Sequence, residues 1–202
     1  DGVFTRVQMA RQALEIFPDC AEAYGILAED AALNLKDAVR LYEQAVEAAV
    51  RTLGEEAFSG GASDIWDSIE ALPYKRARIG LASCLWMQGE YDAAIGHVRE
   101  IMSLCPADDV PLRYILINWL LGAGLDEDAE RLLDAHKEDD SVIWLYSRAL
   151  YLFRKEGASR KANARLRAAR RANRFVPEFM LGYEPLPEVE ERYGVIRDFE
   201  AE

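Results

Sequence analysis

The sequence predicts an all-α fold, a right-handed α-solenoid of about four helix pairs closed by a non-repeat C-terminal cap. Three observations carry this expectation. Gly89 and Ala94 recur as Gly124 and Ala129, each 35 residues later. Within each segment apolar residues fall three and four apart, the spacing of one helical face. A glycine stands midway through each unit, where a turn between two helices belongs.

The elements follow in order. Val3–Phe17 reads as an unpaired helix with an apolar stripe of Val3, Val7, Ala10, Leu14 and Phe17, ended by Pro18. It looks like the second half of a repeat, and its stripe needs cover from upstream sequence or from another molecule. A homo-oligomer joined through this helix is therefore one expectation. A looser pair follows, with Tyr24 and Leu27-Ala28 on its first helix and Ala38, Tyr42 and Ala45 on a long second helix over 36–52. Residues 53–72 are an insertion. Its first part, 53–64, reads as a loop with Gly60-Gly61 at the tip, and Asp64–Leu72 as a short helix capped by Ser63 or Asp64.

The 74–106 unit has the clearest pattern. Ala82 and Ala94 supply small contact points where two helices approach, because ridges enter grooves only where side chains leave room. Gly89 ends the first helix in a left-handed conformation, and Pro106 stops the second. The next unit, 110–140, repeats Leu81-Ala82 and Leu85 as Leu116-Ile117 and Leu120, and Val98 as Leu133. A third register places Gly157 33 residues after Gly124, followed by Ala162, Leu166 and Ala169. The array thus spans 1–176. The tail, 177–202, is proline-rich and not a repeat, and it is expected to pack on the last repeat through Phe179, Met180, Leu181, Tyr183 and Leu186.

On these residues the 74–106 unit resembles the tetratricopeptide repeat family at most signature places. The 110–140 unit departs from it at His136, usually small, and at Ser141, usually proline. Three segments read together are similar to bacterial relatives of the suppressor-of-tumorigenicity-7 family. They are "IFPDCAEAYGILAED", the insertion leading into "PYKRARIGLASCLWMQGEYDAAI", and "VPEFMLGYEPLP". That resemblance implies an interaction protein with no established reaction chemistry. Resemblance to the repeat family implies that first helices line a concave groove. The groove residues are then Glu22 and Glu29; Arg76, Ser83 and Trp86; Tyr114, Asn118 and Leu121; and Trp144, Ser147, Arg148, Tyr151 and Arg154. Trp86, Tyr114, Asn118, Trp144 and Tyr151 are the candidate anchors, since buried aromatics carry much interface energy. The competing reading is that Trp86, Trp119 and Trp144 fill space between units, and for Trp119 it is the preferred one. The family's clamp for a chaperone's terminal carboxylate finds only Asn118 in place, so a chaperone tail is not the expected ligand.

No motif points to catalysis. His97 and His136 lack partners at metal-ligand spacing, the serines lie in no GxSxG elbow, and no glycine-rich phosphate loop is present. The expectation is no enzyme, no cofactor and no metal. Asp108-Asp109 and Asp139-Asp140 are read as helix-start acids that complement the helix dipole. Cys20, Cys84 and Cys105 form no CxxC and are read as buried reduced thiols of a cytoplasmic protein. The opening "DGVFTRVQMARQ" lacks the plan of a secretory signal, and no run is apolar enough for a membrane span. The formal net charge of -12 disfavours nucleic acid and anionic membrane for the chain as a whole.

Charge is nevertheless uneven. Residues 141–176 hold ten Lys and Arg against Glu156 alone, a local +9, while 177–202 carry -6. The expected primary function is a scaffold holding a polypeptide in the groove. The alternatives are an adaptor or regulatory subunit that docks an acidic partner through the basic 154–174 helix, and a self-associating scaffold. The basic-face candidates are Arg160, Lys161, Arg165, Arg167, Arg170, Arg171 and Arg174, either neutralised by the acidic tail or open to a partner.

Overall fold

The computed structural model describes residues 2–59, 63–105 and 112–185, and every regular element among them is helical. These residues fall into two compact units, one holding those up to 105 and the other those from 112. The array expected over 1–176 is thus distributed over both. Pro106, Asp108 and Asp109 lie outside the described residues, as do Gly60, Gly61 and Leu186.

In the first unit, α1 (Gly2–Ile16) packs on α2 (Ala21–Asp30), and α2 pairs with α3 (Leu35–Leu53). The helix expected to stand alone is therefore partly covered: Val7 and Ala10 are buried, while Val3 and Phe17 at the ends of the stripe stay exposed. Helix α3 begins where Asn34 accepts a hydrogen bond from the Asp37 amide at 3.1 Å, a cap worth about 1 kcal/mol. Its buried stripe, Ala38, Leu41, Tyr42, Ala45, Ala48 and Ala49, follows the helical period. Alanine dominates that stripe and lets α2 and α5 (Leu72–Gln88) both approach it. Helix α5 pairs in turn with α6 (Tyr91–Leu104), and Ala82 and Ala94 are both fully buried in that pair.

The insertion differs from the single short helix expected. Ser63 already lies within α4 (Ser63–Trp66), and the chain breaks at Ser68, whose hydroxyl donates to the Ile65 carbonyl at 2.7 Å. Single turns of 3-10 helix follow at Ile69–Ala71 and precede at Glu55–Phe58. Phe58, Trp66 and Tyr74 anchor these pieces, with ring centroids 5.2 to 5.4 Å apart. Trp66 is buried with Ala48, Ala49, Ala71 and Cys105, so the insertion builds a second core at one end of α3 and α5.

In the second unit α7 (Leu112–Gly122) pairs with α8 (Asp126–Ala135), and α9 (Val142–Glu156) packs on both and on α10 (Arg160–Ala172). Ser141 and Ser159 cap α9 and α10 by accepting from the Trp144 and Ala162 amides. The turns at Gly89 and Gly124 are the same turn. Each glycine has positive φ (85° and 74°), and each is bracketed by the two bonds of a Schellman motif. Gly89 donates to Trp86 and Glu90 to Leu85, while Gly124 donates to Leu121 and Leu125 to Leu120. Gly157 departs from the register: it bonds back to Phe153, and its ψ of -152° takes the chain straight into the Ser159 cap.

The short helix α11 (Val176–Met180) starts the tail. Phe179, Met180, Leu181 and Tyr183 are all exposed, so the described part of the tail does not bury the side chains expected to hold it down. Pro177 and the positive-φ Gly182 confine the helix to about a turn, too short to present one continuous apolar face.

Candidate functional site

Three surfaces gather the candidate residues. The first lies between α2 and α5, which touch each other and each pair with the helix that follows. Arg6, Glu22, Gly25, Ile26, Glu29 and Arg76 line a hollow of about 200 Å³ there. Arg76 donates to Glu22 at 2.6 Å, tying α5 to α2 across the rim. Arg6 of α1 reaches Glu29 at 3.2 Å and Asp30 at 3.0 Å. A Cβ at Gly25 would meet nothing within 4 Å, so the α2 side of the hollow is open. The volume falls below the roughly 300 Å³ of small-molecule sites, which suits a peptide side chain better than a cofactor. Both members of the Glu22–Arg76 pair are well exposed, and such a pair contributes only about 0 to 1 kcal/mol, so a ligand can displace it at low cost.

Further along α5, Trp86 is half-buried and its ring sits 4.5 Å from Tyr91 across the Gly89 turn. Ser83, expected to face the groove, is buried and donates back to the Ile79 carbonyl. The inner side of α5 carries a polar cluster that the sequence did not reveal. Tyr74 donates to Glu100 at 3.0 Å, and Arg78 pairs with the same carboxylate and lies 5.6 Å from the Tyr74 ring. Burial, with the nearby Arg78 charge, pushes the His97 imidazole down to about 4. Burial likewise pushes the Cys84 thiol up to about 12, and all three cysteines are free. The four-residue spacing of Tyr74 and Arg78 was visible, but Glu100 comes from the partner helix.

The second surface is at α7 and the approach to α9. Asn118 is exposed and Tyr114 half-buried, its hydroxyl donating to Asp139 at 3.1 Å. Arg113 donates to the same carboxylate at 3.2 Å, and the other oxygen accepts from the Ser141 amide at 2.9 Å. Burial alone would raise the Asp139 carboxyl, but hydrogen bonds from Ser141 and Tyr114 and the Arg113 charge more than offset it. The carboxyl is held below the usual carboxylate range. Asp139 thus works as a bracket between α7 and the α9 cap, a more specific role than the dipole partner expected. Leu121, Trp144, Ser147 and Tyr151 are buried and offer no face to a ligand. Trp144 fills the space beside Tyr114 and His136, so the space-filling reading wins for it; Trp119 is half-buried. The arginines on α9 are also engaged. Arg148 donates to the Leu133 and His136 carbonyls at the end of α8, and Arg154 to Leu121 at the end of α7.

The third surface is α10. Arg160, Lys161, Arg165, Arg167, Arg170 and Arg171 are exposed on it, and Arg174 follows, its guanidinium 4.8 Å from the Phe175 ring. Only Ala162 and Ala169 are buried, which leaves most of the circumference to the cations.

Among the described residues no group of three or more His, Cys, Asp or Glu is placed to hold a metal, and no helix is long and apolar enough to cross a membrane. The chain is 51% identical over 43 residues to proteins described as Suppressor of tumorigenicity 7 protein-like from Bos taurus, Homo sapiens and Rattus norvegicus. That match takes in 21% of this chain and 8% of each relative, so the chain matches under a tenth of their length. No protein-family profile and no solved structure matches.

Proposed function

We propose that this chain is a polypeptide-binding scaffold of tetratricopeptide-like helix pairs, stacked as a right-handed solenoid and acting by binding rather than by catalysis. The observation that carries the reading is the hollow between α2 and α5, which lies between consecutive first helices and is rimmed by the displaceable Glu22–Arg76 pair. The matching turns at Gly89 and Gly124 support the repeat architecture, and the partial similarity to suppressor-of-tumorigenicity-7-like proteins is compatible with it. Arg76 and Trp86 in the first unit are the binding residues of this reading. Tyr114 and Asn118 are its candidate binding residues in the second unit. A cytoplasmic setting with a protein or peptide partner completes it.

The test is selection of peptides from a random display library against the full chain, followed by affinity measurement of the selected peptides on variants. Arg76→Glu and Trp86→Ala should each weaken binding, the tryptophan change by roughly 2 kcal/mol. Selected peptides that bind both variants as tightly as the parent chain would sink the groove reading.

A further inference from the structure

The arginines of α10 differ from five others in the chain. Arg6, Arg51, Arg76, Arg113 and Arg154 each have a carboxylate partner within 3.2 Å. Among the described residues Arg160, Arg165, Arg167, Arg170 and Arg171 have none, although the chain carries an excess of acid. Glu178 and Glu184, the described acids that follow, are exposed and pair with none of them. Helical spacing sets Arg160, Arg167, Arg170 and Arg171 on one side of α10, turned away from buried Ala162 and Ala169. Beside the cations stand apolar side chains: Leu166 is 42% exposed and Phe175 50%.

We propose that α10 is a docking face for a short acidic polypeptide segment that also carries apolar side chains, a surface distinct from the α2–α5 hollow. The cations are nearly all arginine, whose planar fork takes a carboxylate through two parallel hydrogen bonds where lysine offers a point charge. Leu166 and Phe175 give the apolar side chains of such a segment a place to rest. Size decides against a polynucleotide or a membrane surface. Thirteen residues make α10 about 20 Å long, and charges in physiological salt act over only about 8 Å. An extended polyanion runs past that footprint and meets the acid excess of the remaining chain, whereas a short segment stays within it. Nucleic acid would also seek aromatic rings interleaved with the cations, and α10 itself carries none.

The test uses the full chain and a fluorescein-labelled synthetic peptide of about six residues, about 20 Å when extended, in which glutamates alternate with leucines. Fluorescence anisotropy should show binding that weakens several-fold between about 50 and 150 mM salt. Arg167→Glu with Arg171→Glu should weaken it about tenfold or more, and Leu166→Ser should also weaken it. Arg76→Glu should leave it unchanged, which separates failure here from failure of the groove reading. Circular dichroism of each variant verifies that the helices are kept. Absence of binding, or equal binding by the charge-reversed variant, would overturn the proposal. So would tighter binding to polyuridylate or to phosphatidylserine vesicles. Binding that emerges only when residues 186–202 are deleted would overturn it too, giving the face to the chain's own tail.

Discussion

The ring of Tyr42 on α3 lies directly against the backbone of α5 at Gly80, so closely that a Cβ on residue 80 would overlap the ring. Tyr42 is almost fully buried. An alanine at a helix-interior position ordinarily gains up to about 1 kcal/mol over glycine. Here overpacking, on the order of 1 to 3 kcal/mol, outweighs that gain. Gly80→Ala should lower the urea midpoint of the first unit, and Tyr42→Ala in the same chain should remove most of the additional loss. A Gly80→Ala chain as stable as the parent would show that α3 and α5 are further apart than this.

Three of the positive-φ glycines should respond differently to substitution. Gly89, with ψ near 6°, and Gly124 close one common motif, and an added Cβ meets nothing within 4 Å at either. Alanine there carries backbone strain alone, roughly 1 kcal/mol, and asparagine should be nearly neutral. Gly157, with φ 66° and ψ -152°, occupies a region essentially reserved for glycine. Gly157→Asn should therefore cost clearly more than Gly89→Asn in thermal unfolding, and equal costs would refute the distinction.

The insertion is held by its aromatic trio. Trp66→Ala removes the ring that packs on both Phe58 and Tyr74, and a buried tryptophan typically costs about 3 to 5 kcal/mol. The loss should fall on the first unit. Chemical denaturation followed by probes in each unit checks this, and a loss under about 1 kcal/mol would mean the insertion merely rests on the surface.

His97 sets an acid limb. Its folded pKa is lowered to about 4 from an unfolded value of about 6.5, so between these values the unfolded chain binds the extra proton. Stability from this group is complete above about pH 6.5 and is lost as the pH falls toward 4. The half-buried position limits the effect to about 1 or 2 kcal/mol. His97→Gln should flatten the first unit's urea midpoint across this window. An unchanged slope would exclude His97 as its source.

The helix pairs were legible because local patterns make them: the three-and-four spacing, the glycine turns and the small residues at Ala82 and Ala94 all act within one segment. What escaped the sequence depends on residues brought from afar. Glu100 reaches Tyr74 and Arg78 from the neighbouring helix, and Phe58 meets Tyr74 across the insertion. Gly80 did leave a signal, since glycine inside a helical run usually marks a close approach. The groove candidates divided by the same logic. Helical position alone placed Arg76 and Asn118 at the surface, but burial of Trp144 and Tyr151 depends on how α7 and α8 close around α9. The predicted basic face needed no distant partner, and its side chains are exposed.

Arg148 and Arg154 connect α9 to the last carbonyls of α8 and α7, the groups that ordinarily fray first. A hairpin whose two ends are latched by a third helix has no cheap way to open by itself. The amide protons of α7, α8 and α9 should therefore exchange with deuterium as one cooperative block, at a common rate set by loss of α9. In that sense α9 is the keystone of the second unit, and slow exchange at the ends of α7 and α8 would be its signature.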